Sequence, residues 1–367
     1  MWEVESLLQA TERATYKSTS FGKVDYGHSS TLDELLGSDL GYDPTTSEGL
    51  TNHLPMALVA KQRLGATASE LRRFAHQYSR RLIPLSQSRH ELDSKNWITA
   101  IGQRDAATEL RDYFARQVAE TGTDRALRSH LPELMPGLGG AGFHGVIRLA
   151  YAVEARSPSQ IAAGLAYLAQ VANPLRPLAK VEATSNNPEE ILEASSRSGE
   201  WRDAPPAELI DDEMRIVASK PAFGALVSQL VIDDFTQRHL ESCALHIYAS
   251  TNNFTALHGV TGMNALSNLR PLFDDTLLLD QYAFQALAAV YLSVGAPSFW
   301  SVDRYDEFIG ASSSDASAIG AAGAQTDDAH EAKIVYTALQ EYQSTANPLY
   351  LAVASRATGI AGDESRC

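Results

Sequence analysis

Apolar residues recur at helical spacing through most of the chain. Period-two runs of β-branched residues between Asn-Gly or Asp-Gly turns are missing. That combination predicts an all-α, multi-helix globular protein with long connecting loops. Thr67-Ala-Ser-Glu70 reads as a capping box, and Leu71, Phe74, Tyr78 and Leu82 follow on one helical face. Asp105 is a candidate cap for a second helix with the stripe Leu110, Tyr113, Phe114 and Val118. Further helices are expected over Phe143 to Arg156, Ile161 to Ala172, Phe254 to Leu269, Asp280 to Val294 and His330 to Ser344. Ala222 to Ser250 is long enough for one helix, continuous or broken.

Two stretches read as poor helix formers. Thr184 to Asp212 is rich in Ser, Asn, Pro and acidic residues, which suits a surface excursion or a boundary between two helical halves. Gly310 to Asp328 is small, polar and Gly-rich and is expected to be a flexible loop. It leads directly to His330, so a lid is an equal reading to a plain connector. No repeat of 20–50 residues appears, and residues 1–367 are taken as one helical domain.

The net charge is −15, from 30 basic and 45 acidic residues. A phosphate backbone or an anionic membrane surface calls for a basic footprint, so neither is an expected partner. The same balance, with ten histidines, leaves room for a bound cation. Cys243 and Cys367 form neither a metal spacing nor a disulfide framework. Met1 to Lys23 lacks the charged start and apolar run of a signal peptide, and no apolar run approaches the about 20 residues that span a bilayer. A cytoplasmic location is expected; a homo-oligomer is left open.

Gly137-Leu-Gly-Gly-Ala-Gly142 fits G-x-G-x-x-G by its letters. A dinucleotide fold needs a strand before it, and Leu131-Pro-Glu-Leu-Met-Pro136 carries two prolines that exclude a central strand. The glycines instead suit a turn that approaches closely and delivers His144 into the core. No P-loop, G-x-S-x-G or H-E-x-x-H is present. Flavin, NAD(P), nucleotide and zinc-peptidase readings therefore lack their marks.

His76, His90, His130 and His239 sit among charged neighbours and are expected on the surface. His53, His144, His258 and His330 sit in apolar helical settings. One such histidine is most simply a core residue bonded to a carbonyl. Four together point to metal, since neutral imidazole is the commonest metal ligand. His246, in Cys243-Ala-Leu-His-Ile-Tyr248, is a fifth candidate or a supporting group. Lys333 shares a helix face with His330, and Tyr336 and Thr337 continue it. An ammonium beside a metal ligand repels the cation. The lysine either faces solvent or is neutral through burial, and a neutral amine can take up carbon dioxide as an anionic carbamate.

These segments resemble the questin oxidase-like family. The match rests on Asn52-His-Leu-Pro-Met-Ala-Leu58 with Leu64-Gly-Ala66, Phe143-His-Gly-Val-Ile-Arg-Leu-Ala-Tyr151, Leu257-His-Gly-Val-Thr261 with Ala265-Leu266, and His330-Glu-Ala-Lys333, in the family's order. The resemblance implies an all-helical oxygenase acting with dioxygen on hydroxylated aromatic polyketides such as anthraquinones, without flavin or NAD(P). It implies non-haem iron(II) with His53, His144, His258 and His330 as ligands and Lys333 as the carbamate. Fungal members often carry further histidines where this chain has Pro55, Met56 and Ala57, and this chain looks shorter than they are. His28, in Tyr26-Gly-His-Ser, is a candidate substrate-facing acid or base. His246 and Tyr248 are further candidates for catalytic or supporting roles, and Asn52, Thr261 and Asn264 for orienting ligands. A cofactor-free oxygenase with a histidine base, and a non-catalytic aromatic-metabolite binder, stand as alternatives.

Overall fold

The computed structural model describes residues 29–197, 201 and 207–360. Its described part is built from seventeen α-helices and one two-stranded antiparallel ribbon. The all-α expectation is correct. No described helix is long and apolar enough to cross a membrane.

The chain begins with α1 (Ser30–Asp39) and strand β1 (Tyr42–Thr46), followed by α2 (Leu54–Arg63) and α3 (Ala68–Tyr78). Strand β2 (Leu82–Pro84) pairs back on β1, with Thr46 opposite Leu82. Thr67 and Glu70 form the expected reciprocal capping box at the start of α3. Next come α4 (Ala107–Thr121), α5 (Thr123–Leu134), α6 (His144–Glu154) and α7 (Pro158–Val171). Asp105 does not cap α4; a short 3-10 turn over Arg104–Ala106 leads into it, with no side-chain cap.

The Ser- and Pro-rich stretch after residue 184 contains α8 (Pro188–Ser196), capped by Asn187, and the start of α9 (Ile210–Ala218). Ala222 to Ser250 is two helices. α10 (Pro221–Val227) ends before Asp233, whose carboxylate accepts from Phe235 N and Thr236 Oγ1, and α11 (Thr236–Thr251) starts there. The rest is α12 (Phe254–Leu269), α13 (Thr276–Ser293), α14 (Val302–Gly310), α15 (Ala316–Gln325), α16 (Ala329–Thr345) and α17 (Pro348–Thr358).

Helix α15 corrects the expected flexible loop. Asp315 accepts from Ser317 N and Ala318 N, and the body is rich in alanine, the best helix former. The small residues are its packing stripe. A Cβ on Gly323 would stand 2.7 Å from Val335 Cγ1 of α16, so glycine lets the two helices touch.

Burial fixes the arrangement of these helices. From Gln160 to Val171 every residue of α7 is buried, as expected of a helix packed on all sides, here against α4 and α6. Helix α12 packs on α6, α11, α13 and α16, and α2 packs on α6 and α16. The apolar core is continuous from Leu32 in α1 to Ala354 in α17. The four helices α2, α6, α12 and α16 thus meet inside it.

Candidate metal centre

Each of those four helices brings one histidine, and each histidine stands at or near a helix N-terminus. His53 immediately precedes α2. Its backbone N–H donates to the hydroxyl of Tyr78 (3.0 Å). Its neighbour Asn52 donates to Asp39 Oδ1 (2.8 Å) and accepts from Leu54 N (2.9 Å). Asp39 is wholly buried and also accepts from Arg148 Nη2 (3.0 Å) and Gln160 Nε2 (3.2 Å). Arg148 lies one turn beyond His144 on α6. A single carboxylate therefore ties together the segments that carry His53 and His144.

His144 opens α6 after a tight turn in which Ala141, Gly142 and Phe143 all have positive φ (49°, 61° and 66°). Two glycines make this turn sterically feasible. A Cβ on Gly140 would stand 1.9 Å from the carbonyl oxygen of Val171, and one on Gly262 would stand 2.5 Å from the ring of Phe143. Helix α5 and a 3-10 turn, not a strand, precede the glycine run, in accord with its rejection as a dinucleotide motif.

His258 sits in the second turn of α12. His330 sits in the first turn of α16, where the capping carboxylate of Asp328 accepts from its backbone N–H (2.7 Å). The turn before α16 is held from the other side. Lys61 of α2, fully buried, donates to the carbonyls of Ala324 and Thr326 at 2.6 Å each and lies 5.0 Å from the Phe74 ring centroid.

The four rings converge. Centroids are 4.3 Å apart for His53–His330, 4.5 Å for His144–His258, 4.7 Å for His53–His144 and 5.3 Å for His258–His330. Ligand nitrogens of His53, His144 and His330 lie within 4.8 Å of one another, close enough to hold a metal ion. Lys333 is fully buried one turn beyond His330, with Nζ 3.3 Å from His53 Nδ1.

Hydrogen bonds fix which nitrogens are free. His144 Nδ1 donates to Ala141 O (2.5 Å), and His258 Nδ1 donates to Phe254 O (2.8 Å). In the neutral rings this leaves each Nε2 as an acceptor. Both Nε2 atoms are buried and have no hydrogen-bond partner. Buried polar atoms without partners are rare and call for an explanation. The His144 ring belongs to the group whose nitrogens can share a metal ion with His53 and His330; His258 adjoins that group through its ring, 4.5 Å from His144, without being one of the three that meet within 4.8 Å.

Electrostatics agree. Burial first, and then the neighbouring Lys333 and histidines, hold His53 well below the ordinary imidazole value; His258 is lowered by the same causes, and His144 by burial, Lys333 and His330. His330, more open, is lowered to about 4, chiefly by burial and Lys333. Burial lowers the Lys333 amine to about 7. At neutral pH the imidazoles are uncharged, which is the ligating form.

The other candidates fall elsewhere. His246 is half-buried on α11, with Nδ1 2.6 Å from Glu189 Oε1 and its ring stacked on Tyr305. Tyr248 packs under the guanidinium of Arg356 (4.9 Å). Neither has a ring contact with the four clustered histidines. Asn264 bonds to Gln340 and Glu341, and Thr261 to the carbonyls of its own helix. Of the supporting candidates, Asn52 is the one built into the nest. His28 lies outside the described residues. His76 and His90 are exposed as expected, but His130 is buried: it bonds to Tyr113 Oη (3.0 Å) and Ala126 O (2.7 Å) and packs on Trp97. Asp39, Arg148, Tyr78 and Lys61, which hold the histidine segments, were not among the sequence candidates.

A search of curated proteins finds no match to the chain. A family model described as questin oxidase-like matches residues 50–338, a span that holds all four clustered histidines and Lys333. With well over half of its length matched, the chain belongs to the questin oxidase-like family.

Proposed function

We propose that the protein is an oxygen-dependent oxidoreductase acting on hydroxylated polycyclic aromatic polyketides such as anthraquinones, hydroxylating or opening a ring. In this reading His53, His144, His258 and His330 hold a non-haem iron(II) ion, and Lys333 carries the anionic ligand as a carbamate. The observation that carries it is the convergence of four imidazoles, two with orphaned buried Nε2 atoms, on a buried lysine. Family membership supports the oxidase class and the polyketide substrate.

When bound, iron(II) would supply redox-active metal chemistry with dioxygen, the electron-rich phenolic substrate being the source of electrons. The remaining work belongs to the chain. Ala141 O and Phe254 O take up Nδ1 of His144 and His258 and leave Nε2 as the free nitrogen of each ring, as partners of ligating histidines generally do. Burial shields His53, His144 and His258 from water and leaves access on the His330 side. Lys333 is half-neutral near pH 7, so its Nζ can add to the carbon of carbon dioxide and release one proton, forming a carbamate oxygen anion. A metal-free route through a histidine base is less well served. A base works best with a pKa near the operating pH, and all four imidazoles titrate far below it.

The test is metal content of protein purified without chelator, with oxygen uptake in the presence of 1,8-dihydroxyanthraquinone, for wild type, Lys333→Ala and His330→Ala. Stoichiometric iron in wild type, lost with oxygen uptake in both variants, is expected. Wild type without metal, or variants that retain both, would sink the assignment.

A further inference from the structure

The histidine nest is closed on most sides. His53 and His144 are 6% exposed and His258 is fully buried, but the His330 side chain is 23% exposed and that of Asp328 beside it 62%. Solvent reaches the cluster from this side, and one aromatic ring stands there. Phe254, first residue of α12, is 55% exposed. Its ring meets His330 at 4.6 Å and His258 at 4.9 Å between centroids, edge-to-face in both cases. Of the two described phenylalanines that are more than half exposed, Phe235 has no such contact.

Single exposed apolar residues are common and need no explanation by themselves. Phe254 differs in how it is held. Asn253 caps the helix by accepting from Thr255 N and Ala256 N, and the carbonyl of Phe254 is the acceptor for His258 Nδ1. The main chain of Phe254 is therefore tied to the cluster by a hydrogen bond, and its ring by the two histidine contacts. The ring touches two histidines of the cluster while the residue stays 55% exposed.

We propose that Phe254 is the stacking face on which the planar aromatic substrate rests at the mouth of the histidine nest. The inference rests on the substrate class proposed above and adds the residue that selects for it. A fused-ring substrate laid offset on Phe254 removes apolar surface of both partners from water and gains the ring–ring interaction. Asp328, beside His330, offers a carboxylate acceptor to a phenolic hydroxyl at the ring's edge.

Equilibrium binding of 1,8-dihydroxyanthraquinone, followed by its visible absorption under anaerobic conditions, tests this in both metal-loaded and chelator-treated protein. Phe254→Leu keeps an apolar side chain but removes the ring, and is expected to weaken binding about three- to tenfold in both states. Phe254→Trp is expected to bind as tightly as wild type or tighter, and both variants should keep wild-type metal content. Phe254→Leu binding as wild type does would overturn the inference. So would loss of metal in Phe254→Leu without weaker binding by its metal-free form, since Phe254 would then only support the histidines. Wild type that takes up no metal but still shows the Phe254-dependent binding refutes the metal centre and leaves the stacking face standing.

Discussion

Replacing Lys333 by methionine separates the stability of the protein from its metal chemistry. Lys333 is fully buried, and burial brings its amine from 10.5 to about 7. In the unfolded chain the amine is ordinary. Between the two values the unfolded chain holds a proton that the native protein does not. The sign follows: metal-free wild type gains stability as pH rises from about 7 to about 10.5, by roughly 1.4 kcal/mol per pH unit. Below about pH 6, where the native amine is also charged, its burial costs on the order of 5 kcal/mol. Methionine keeps much of the volume and removes the charge. Metal-free Lys333→Met should therefore be more stable than metal-free wild type at about pH 6, by at least about 2 kcal/mol after relaxation around the site. The difference should shrink as pH is raised towards 10, and the same variant should fail to retain metal. Urea unfolding of both proteins in chelator-treated, degassed buffer across this pH range measures the gap directly. A gap that does not change with pH, or a variant less stable than wild type throughout, refutes the reasoning, because Lys333 would then not be a buried amine at strain.

Three further outcomes follow from the same geometry. His330 titrates at about 4 against 6.5 when unfolded, and the other three histidines are also depressed, so metal-free stability and metal retention should both fall as pH drops from about 6.5 towards 4; unfolding midpoints and metal content that stay flat over that window would contradict buried neutral imidazoles. Asp39→Ala leaves the guanidinium of Arg148, 4% exposed, without its carboxylate and should cost about 3–5 kcal/mol, whereas Asp39→Leu with Arg148→Met should recover most of it; equal losses in urea unfolding for the single and double variants would show that the ion pair is not the cause. Gly262→Ala places a methyl against the Phe143 ring and should cost about 1–3 kcal/mol while lowering metal occupancy through the displaced His144; an unfolding midpoint and metal content equal to wild type would mean that the turn yields freely.

Much of this was legible in the chain, and the limits have physical causes. Helix α12 was readable over Phe254–Leu269 because an Asn cap precedes an apolar run of full helical length. The charged neighbours of His130 suggest exposure, although Ala126, His130 and Leu134 share the i, i+4 spacing of one buried face. Helix α15 reads as a loop in the sequence because, apart from Ile319, its buried surface is Gly320, Gly323 and Ala324, which carry no apolar stripe. His246 has an apolar sequence environment equal to that of His258, yet α11 turns it outward towards Glu189. The tie from Asp39 to Arg148 spans 109 positions and leaves no local signal.

The burial of Lys333 is of the same tertiary kind. The sequence places it on the face of His330, but only the packing of α2, α12 and α16 removes it from water. That packing also explains why a chain of net charge −15 gives no clue to its own site. Among the described residues, no acidic group joins the nitrogens that meet at the nest. A dication held there by four neutral imidazoles would leave two positive charges in a buried space, and Asp328, the carboxylate closest to hand, is largely in solvent. An anion formed on Lys333 would remove one of those charges and the destabilising ammonium in a single step. On the proposed reading, the residue least suited to the metal-free core would therefore be the one that the metal-bound core most needs.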